Sequence, residues 1–105
     1  MIENMEYNND RYFYFRYDIE KILKICPVCG YNKITVYIYN KDGFSNIKNC
    51  PCCGFSFVNN NNNQKLYKNH REQWIINGFQ FFEKKQKPTI WNKKILERQL
   101  KNISY

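Results

Sequence analysis

Two short stretches constrain this chain more than anything else in it: Cys26-Pro27-Val28-Cys29-Gly30 and Cys50-Pro51-Cys52-Cys53-Gly54. Each sets two thiols three positions apart with a glycine directly after the second, and twenty residues, 30–49, separate the pairs. This is the spacing of paired cysteine knuckles that close a tetrahedral metal site. The residue types have mechanical reasons. Proline stiffens the turn, and glycine admits the positive φ that lets the backbone fold back and aim its amide N–H groups at the sulfurs. Cys26, Cys29, Cys50 and Cys53 are therefore expected to hold one structural Zn²⁺.

A set of four thiolates fills every tetrahedral position and leaves none for a reactive water, which argues against zinc-hydroxide chemistry. The rival chemistry, a redox C-P-x-C pair, needs a single pair at a helix N-terminus in a βαβ context, and the sequence offers two pairs instead. Cys52, the fifth thiol, falls inside the second knuckle and reads as a spectator close enough to exchange with Cys50 or Cys53.

The chain has 105 residues, the size of one small domain, and a metal staple contributes most where the core is modest. Eight Phe, nine Tyr and two Trp, with no alanine, make that core aromatic and isoleucine-rich. No run approaches the roughly 18 apolar residues of a membrane span. Met1-Ile2-Glu3-Asn4 has neither the basic nor the apolar region of an export signal, so a cytoplasmic location with no membrane partner is expected. Five cysteines, an odd number, then favour thiolates on a metal over a disulfide framework.

The formal net charge of +8 is unevenly spread: residues 65–105 carry ten bases and three acids, residues 1–25 four bases and five acids. Asn, Lys, Ile and Tyr are all abundant, as AT-rich codons make them, so the number of lysines is weak grounds for a role.

The pattern along the chain gives the expected elements. Residues 11–17 are almost wholly aromatic and suit an extended segment, and beyond them either Asp18 caps a helical turn through Ile19, Ile22 and Leu23 or the same residues continue as a strand into Ile25. Residues 34–39 alternate aliphatic with hydroxyl-bearing side chains and read as a strand, Asp42-Gly43 as a hairpin turn, and 55–58 as a third strand. The asparagine run 59–63 reads as an exposed loop. Beyond it Tyr67, Arg71, Trp74, Ile75, Gly78, Phe81 and Phe82 recur at helical steps until Lys87-Pro88, with Gly78 either a close-packing position or a break. Asn92 is the expected N-cap of a second helix whose mainly apolar face holds Ile95, Leu96, Gln99, Leu100 and Ile103.

The CPCCG string, with a second C-P-x-C pair about twenty residues away, resembles the bacterial cysteine-rich CPCC proteins, small zinc-ribbon domains. The resemblance covers roughly residues 24–82 and implies a non-catalytic accessory or interaction role. In this chain CPCC stands in the second knuckle, and no acidic run follows the second pair. The hairpin also resembles in architecture that of the transcript-cleavage elongation factors, whose tip carries adjacent Asp and Glu; here Asp42 stands alone before Gly43. His70, the only histidine, has Asn77 as its one candidate partner for a ββα nuclease site, and the hairpin such a site needs is replaced by asparagines.

The expected fold is thus a small α+β protein: a zinc ribbon with a β-hairpin, a third strand and the four-cysteine site in residues 1–63, then a basic two-helix tail in 64–105 packed on or extending from it. The expected function is a non-catalytic binding module with a protein partner. The alternative is a nucleic-acid-binding ribbon that uses Lys84, Lys85, Lys87, Trp91, Lys93, Lys94, Arg98 and Lys101, where cations track phosphates and the indole stacks a base.

Overall fold

The computed structural model describes residues 23–58 and 63–105. The aromatic run at 11–17, the Asp18 cap and asparagines 59–62 lie outside the described residues.

Helix α1 (Gln64–Ile76) begins because Asn63, the last residue of the asparagine run, is an N-cap: its Oδ1 accepts from the Leu66 N–H at 3.1 Å. The helix ends ten residues earlier than its apolar steps suggest, because Gly78 takes the break and not the packing role. Gly78 sits at φ +101°, its N–H donates to the Ile75 carbonyl, and the Phe79 N–H donates to the Trp74 carbonyl at 2.8 Å. This is a Schellman closure, completed by the Phe79 ring against Trp74. Helix α2 (Lys93–Leu100) starts at Asn92 as expected, with the Asn92 Oδ1 accepting from the Ile95 N–H at 3.0 Å, and runs on into a 3₁₀ turn, Lys101–Ile103. Another 3₁₀ turn, Lys84–Gln86, lies in the connection between the helices.

The two helices are present, but the β-hairpin and third strand of the expected zinc ribbon are not. Among the described residues the only β pairing consists of two isolated antiparallel bridges, Tyr39 with Ser45 and Asn49 with Ser56. The reason is visible in which side chains are buried. A strand would put Ile34, Val36 and Ile38 on one face. Instead Ile34 and Ile38 are buried while Thr35, Val36 and Tyr37 between them are all exposed, so this segment anchors every fourth residue and has no pleat. Its backbone groups are satisfied singly: the Ile38 N–H by the Leu23 carbonyl, and the Tyr37 carbonyl by the Asn46 side chain. The turn at Asp42-Gly43 does form, but Asn40 closes it with its own Oδ1, which accepts from the Asp42 and Phe44 N–H groups. Residues 55–57 alternate in burial and bond to the chain through Asn49 and its neighbours, but as an isolated bridge and not a ladder.

What replaces a sheet is a core of knuckles and rings. Phe55 packs edge-on against Phe57, Tyr67 and His70, with ring centroids 5.2–5.3 Å apart. Phe81 lies edge-on between Tyr31 and Trp91. Leu96 and Leu100 of α2 are buried in the same cluster as the cysteines. Edge-to-face pairs of this kind contribute about 0.5–1.5 kcal/mol each beyond the area they bury.

Candidate metal centre

Both knuckles fold in the same way, residue for residue. The first closes with the Gly30 N–H donating to the Cys26 carbonyl and the Cys26 N–H to the Tyr31 carbonyl; the second with Gly54 to Cys50 and Cys50 to Phe55. Gly30 and Gly54 have φ of +83° and +77°, the left-handed conformation this closure requires. In each, the amide two residues after the first cysteine points back at its sulfur: Val28 N–H to Cys26 Sγ and Cys52 N–H to Cys50 Sγ, both at 3.4 Å.

The two turns face each other and bring Cys26, Cys29, Cys50 and Cys53 together, with their sulfurs all within 4.8 Å of one another. The pairs across the knuckles are 3.9 Å (Cys26 to Cys53) and 3.7 Å (Cys29 to Cys50). Metal–sulfur bonds of about 2.3 Å in a tetrahedron place sulfurs about 3.8 Å apart, so the observed separations fit a single metal ion. All four side chains are buried, and none is in a disulfide.

Without a cation this pocket is hostile to negative charge. Burial, reinforced by hydrogen bonds from neighbouring thiols, pushes the Cys29 thiol well up, and burial does the same to Cys53. Burial acts in the same sense on Cys50, but hydrogen bonds from Cys26, Cys29 and Cys53 outweigh it and draw that thiol down. A buried sulfur cluster in which burial opposes the charge on Cys29 and Cys53 until a cation offsets it is a set of donors fitted to a metal. Cys52 is outside this set. Its buried sulfur accepts instead from the Gln99 side-chain amide at 3.4 Å.

Around the sulfurs, every knuckle carbonyl has a donor. In the first knuckle the donors are side chains: Arg71 to Val28 (2.6 Å) and Pro27 (3.2 Å), Gln99 to Cys29 (3.0 Å), and Asn102 to Gly30 (2.9 Å). In the second, two are main chain, Glu83 N–H to Pro51 (2.7 Å) and Phe82 N–H to Cys52 (2.9 Å), and a third is the Asn49 side chain on Gly54 (3.0 Å). His70 completes the second set, its Nε2 2.8 Å from the Cys53 carbonyl. A carbonyl only accepts, so Nε2 carries the proton. His70 thus braces a cysteine backbone, and it lines a cavity of about 270 Å³ together with Asn77.

Sequence reasoning found the sulfurs but not these braces. Two of them left a signal: Arg71 and Gln99 are polar residues standing in otherwise apolar helical faces, which is where a side chain with a buried partner would stand. Asn102 left none.

The basic residues proposed for nucleic acid are divided by the fold. Lys84, Lys85, Lys87 and Lys94 are exposed. Arg98 and Trp91 line a cavity of about 470 Å³ beside the first knuckle, together with Tyr31 and Lys33. Lys93 and Lys101 line a different cavity, with Ile75, Phe79 and Leu96. Trp91 is half-buried, and its indole N–H donates to the Phe79 carbonyl at 2.9 Å.

Among the described residues no helix is long and apolar enough to cross a membrane. Comparison of the chain with protein-family models, with curated proteins and with solved structures finds no match.

Proposed function

We propose that this chain is a non-catalytic binding module built on one structural Zn²⁺, held by Cys26, Cys29, Cys50 and Cys53. The observation that carries the reading is the convergence of four buried sulfurs within 4.8 Å of one another. An all-thiolate tetrahedral set selects zinc or iron among common metals, and redox-inert zinc suits a site enclosed on every side by protein donors. With four thiolates on the ion there is no open position for substrate, so the function belongs to the surfaces that the centre holds in place. The first partner class is a protein, for which the module would act as an accessory domain. Metal analysis of protein purified without chelators tests the centre: one zinc per chain and no iron is expected, and well under one zinc per chain contradicts it.

A second reading, nucleic-acid binding, is favoured by one arrangement. Trp91 and Arg98, distant from Lys33 in sequence, line the same cavity with it. A salt titration separates the two readings, because affinity that rests on phosphate contacts falls steeply with salt while a mainly apolar protein contact does not.

A further inference from the structure

The cavity beside the first knuckle has a composition that the metal centre does not explain. Its walls are aromatic, formed by Tyr31, Phe81 and Trp91, and among the described residues it has two cations, Lys33 and Arg98, and no acid in its lining. The rings are fixed. Phe81 is edge-on to both Tyr31 and Trp91, at 5.7 and 4.8 Å, and the indole is tethered through its N–H. The amides are also held in place. Gln86 accepts from the Tyr31 hydroxyl through Oε1, which leaves its NH₂ as a donor, whereas Gln99 and Asn102 spend their NH₂ groups on knuckle carbonyls and keep their oxygens as acceptors.

We infer that this cavity takes one base of a single-stranded nucleic acid, stacked on the aromatic wall with its flanking phosphates on Lys33 and Arg98. The inference rests on the nucleic-acid reading above and gives that reading a site. Each element of the chemistry selects the occupant. Cations with no acid among the described lining residues call for an anion, and rings call for a flat face. Amides of both polarities match a base edge, which carries donors and acceptors together. An acidic peptide would use the cations and leave the rings and amide oxygens without purpose. A duplex keeps its bases stacked inside and cannot fill a cavity without extruding one. The cations also continue beyond a single nucleotide: Lys85 and Lys87 flank Gln86 in the chain, and Lys94 lies one helical turn before Arg98 on α2, so a strand has somewhere to go on either side.

The test uses the whole metal-loaded chain at low salt. Fluorescence anisotropy measures binding to a labelled oligothymidylate of about 12 nucleotides, to the same backbone made abasic, and to competing thymidine monophosphate. Removing the bases is expected to weaken binding about 10-fold, the scale of one lost stacking contact. The K33Q/R98Q double variant should lose about 10-fold or more and reduce the salt slope by about 1–2, while K93Q/K101Q, on the other cavity, changes affinity about twofold or less. Zinc content of each variant shows that the fold is retained.

Absence of oligonucleotide binding by the unaltered chain would remove the inference and the nucleic-acid reading together. Equal affinity for the abasic backbone, or equal losses in the two double variants, would leave nucleic-acid binding standing and overturn the cavity as its site. Competition by the monophosphate at the same concentration as the oligomer would mark a small-molecule site and overturn the strand.

Discussion

The two knuckles have the same internal hydrogen bonds and the same glycine conformation, but the rest of the chain holds them by different means. The first is gripped by the side chains of Arg71, Gln99 and Asn102, reaching from α1, α2 and the turn after it. The second is gripped half by the backbone of Phe82 and Glu83 and half by the side chains of Asn49 and His70. A side-chain grip is written into particular residues and is lost with any one of them. A backbone grip tolerates substitution, because every non-proline residue supplies the same N–H. The difference teaches that the sulfurs alone form a symmetric site, whereas the first knuckle relies on side-chain donors throughout and the second on them for half, so substitutions around the first are expected to cost more.

The largest test removes what the halves share. Stripping the metal by chelation is expected to unfold the described core, since apparent zinc binding in small domains is worth about 10 kcal/mol or more, comparable with the whole stability of a domain. Loss of near-ultraviolet circular dichroism on chelation, regained with zinc, is the readout. Serine at any of Cys26, Cys29, Cys50 or Cys53 should abolish stoichiometric metal, and Cys52→Ser should keep it; a reversed ranking would reassign the ligand set.

Next come the glycines, where the halves begin to differ. An added Cβ at Gly30 lands on the Gln99 backbone carbonyl of α2, which cannot yield without moving the helix. At Gly54 it meets the exposed Phe82 ring at 2.7 Å, which can swing aside. Both substitutions incur the left-handed strain of about 1–2 kcal/mol. Gly30→Ala should therefore destabilise by about 3 kcal/mol or more and Gly54→Ala by about 1–2, measured by denaturant unfolding of zinc-loaded protein. Equal losses would break the asymmetry.

A direct comparison of the grips follows. Arg71→Met leaves the Val28 and Pro27 carbonyls without their donor and should cost about 2–3 kcal/mol. It also removes the guanidinium that lies 4.6 Å over the Tyr105 ring. Phe82→Ala keeps the N–H that bonds Cys52 and should cost about 1 kcal/mol or less. Matching effects would show that side-chain and backbone braces are equivalent here.

The smallest effect concerns pH. Burial, followed by the hydrogen bond with Tyr67, holds the Tyr39 phenol above its ordinary range. Below the unfolded value, about 10, both states are protonated and the contribution of Tyr39 is fully present. Above it the unfolded chain ionises first, so stability falls as pH rises, and Tyr39→Phe should flatten that alkaline decline. An unchanged decline would place its origin elsewhere.

Much of the centre was legible in one dimension because a knuckle is a local object. Cys-Pro-x-Cys-Gly contains its own turn, its own positive-φ residue and its own amide–sulfur bonds, and nothing remote is needed to form it. The N-cap at Asn92 was legible for the same reason. The strands were not. Alternation over 34–39 is a necessary sign of a half-buried strand, yet a ladder also requires a neighbouring chain in register, and here the nearby backbone groups are taken by turns and side chains. Gly78 lay between two readings until Phe79 was seen to close onto Trp74.

The sequence by itself therefore determined the four sulfurs, the glycine turns and the start of α2, since these depend on contacts within about five residues of one another along the chain. Only the tertiary structure decided that the two knuckles meet at metal-binding distance and that the segment between them carries no sheet. It also decided that Arg71, Gln99 and Asn102 brace one knuckle while two backbone amides, with Asn49 and His70, brace the other. Those outcomes depend on which distant donors reach each buried carbonyl, and a buried carbonyl takes whichever donor the packing delivers.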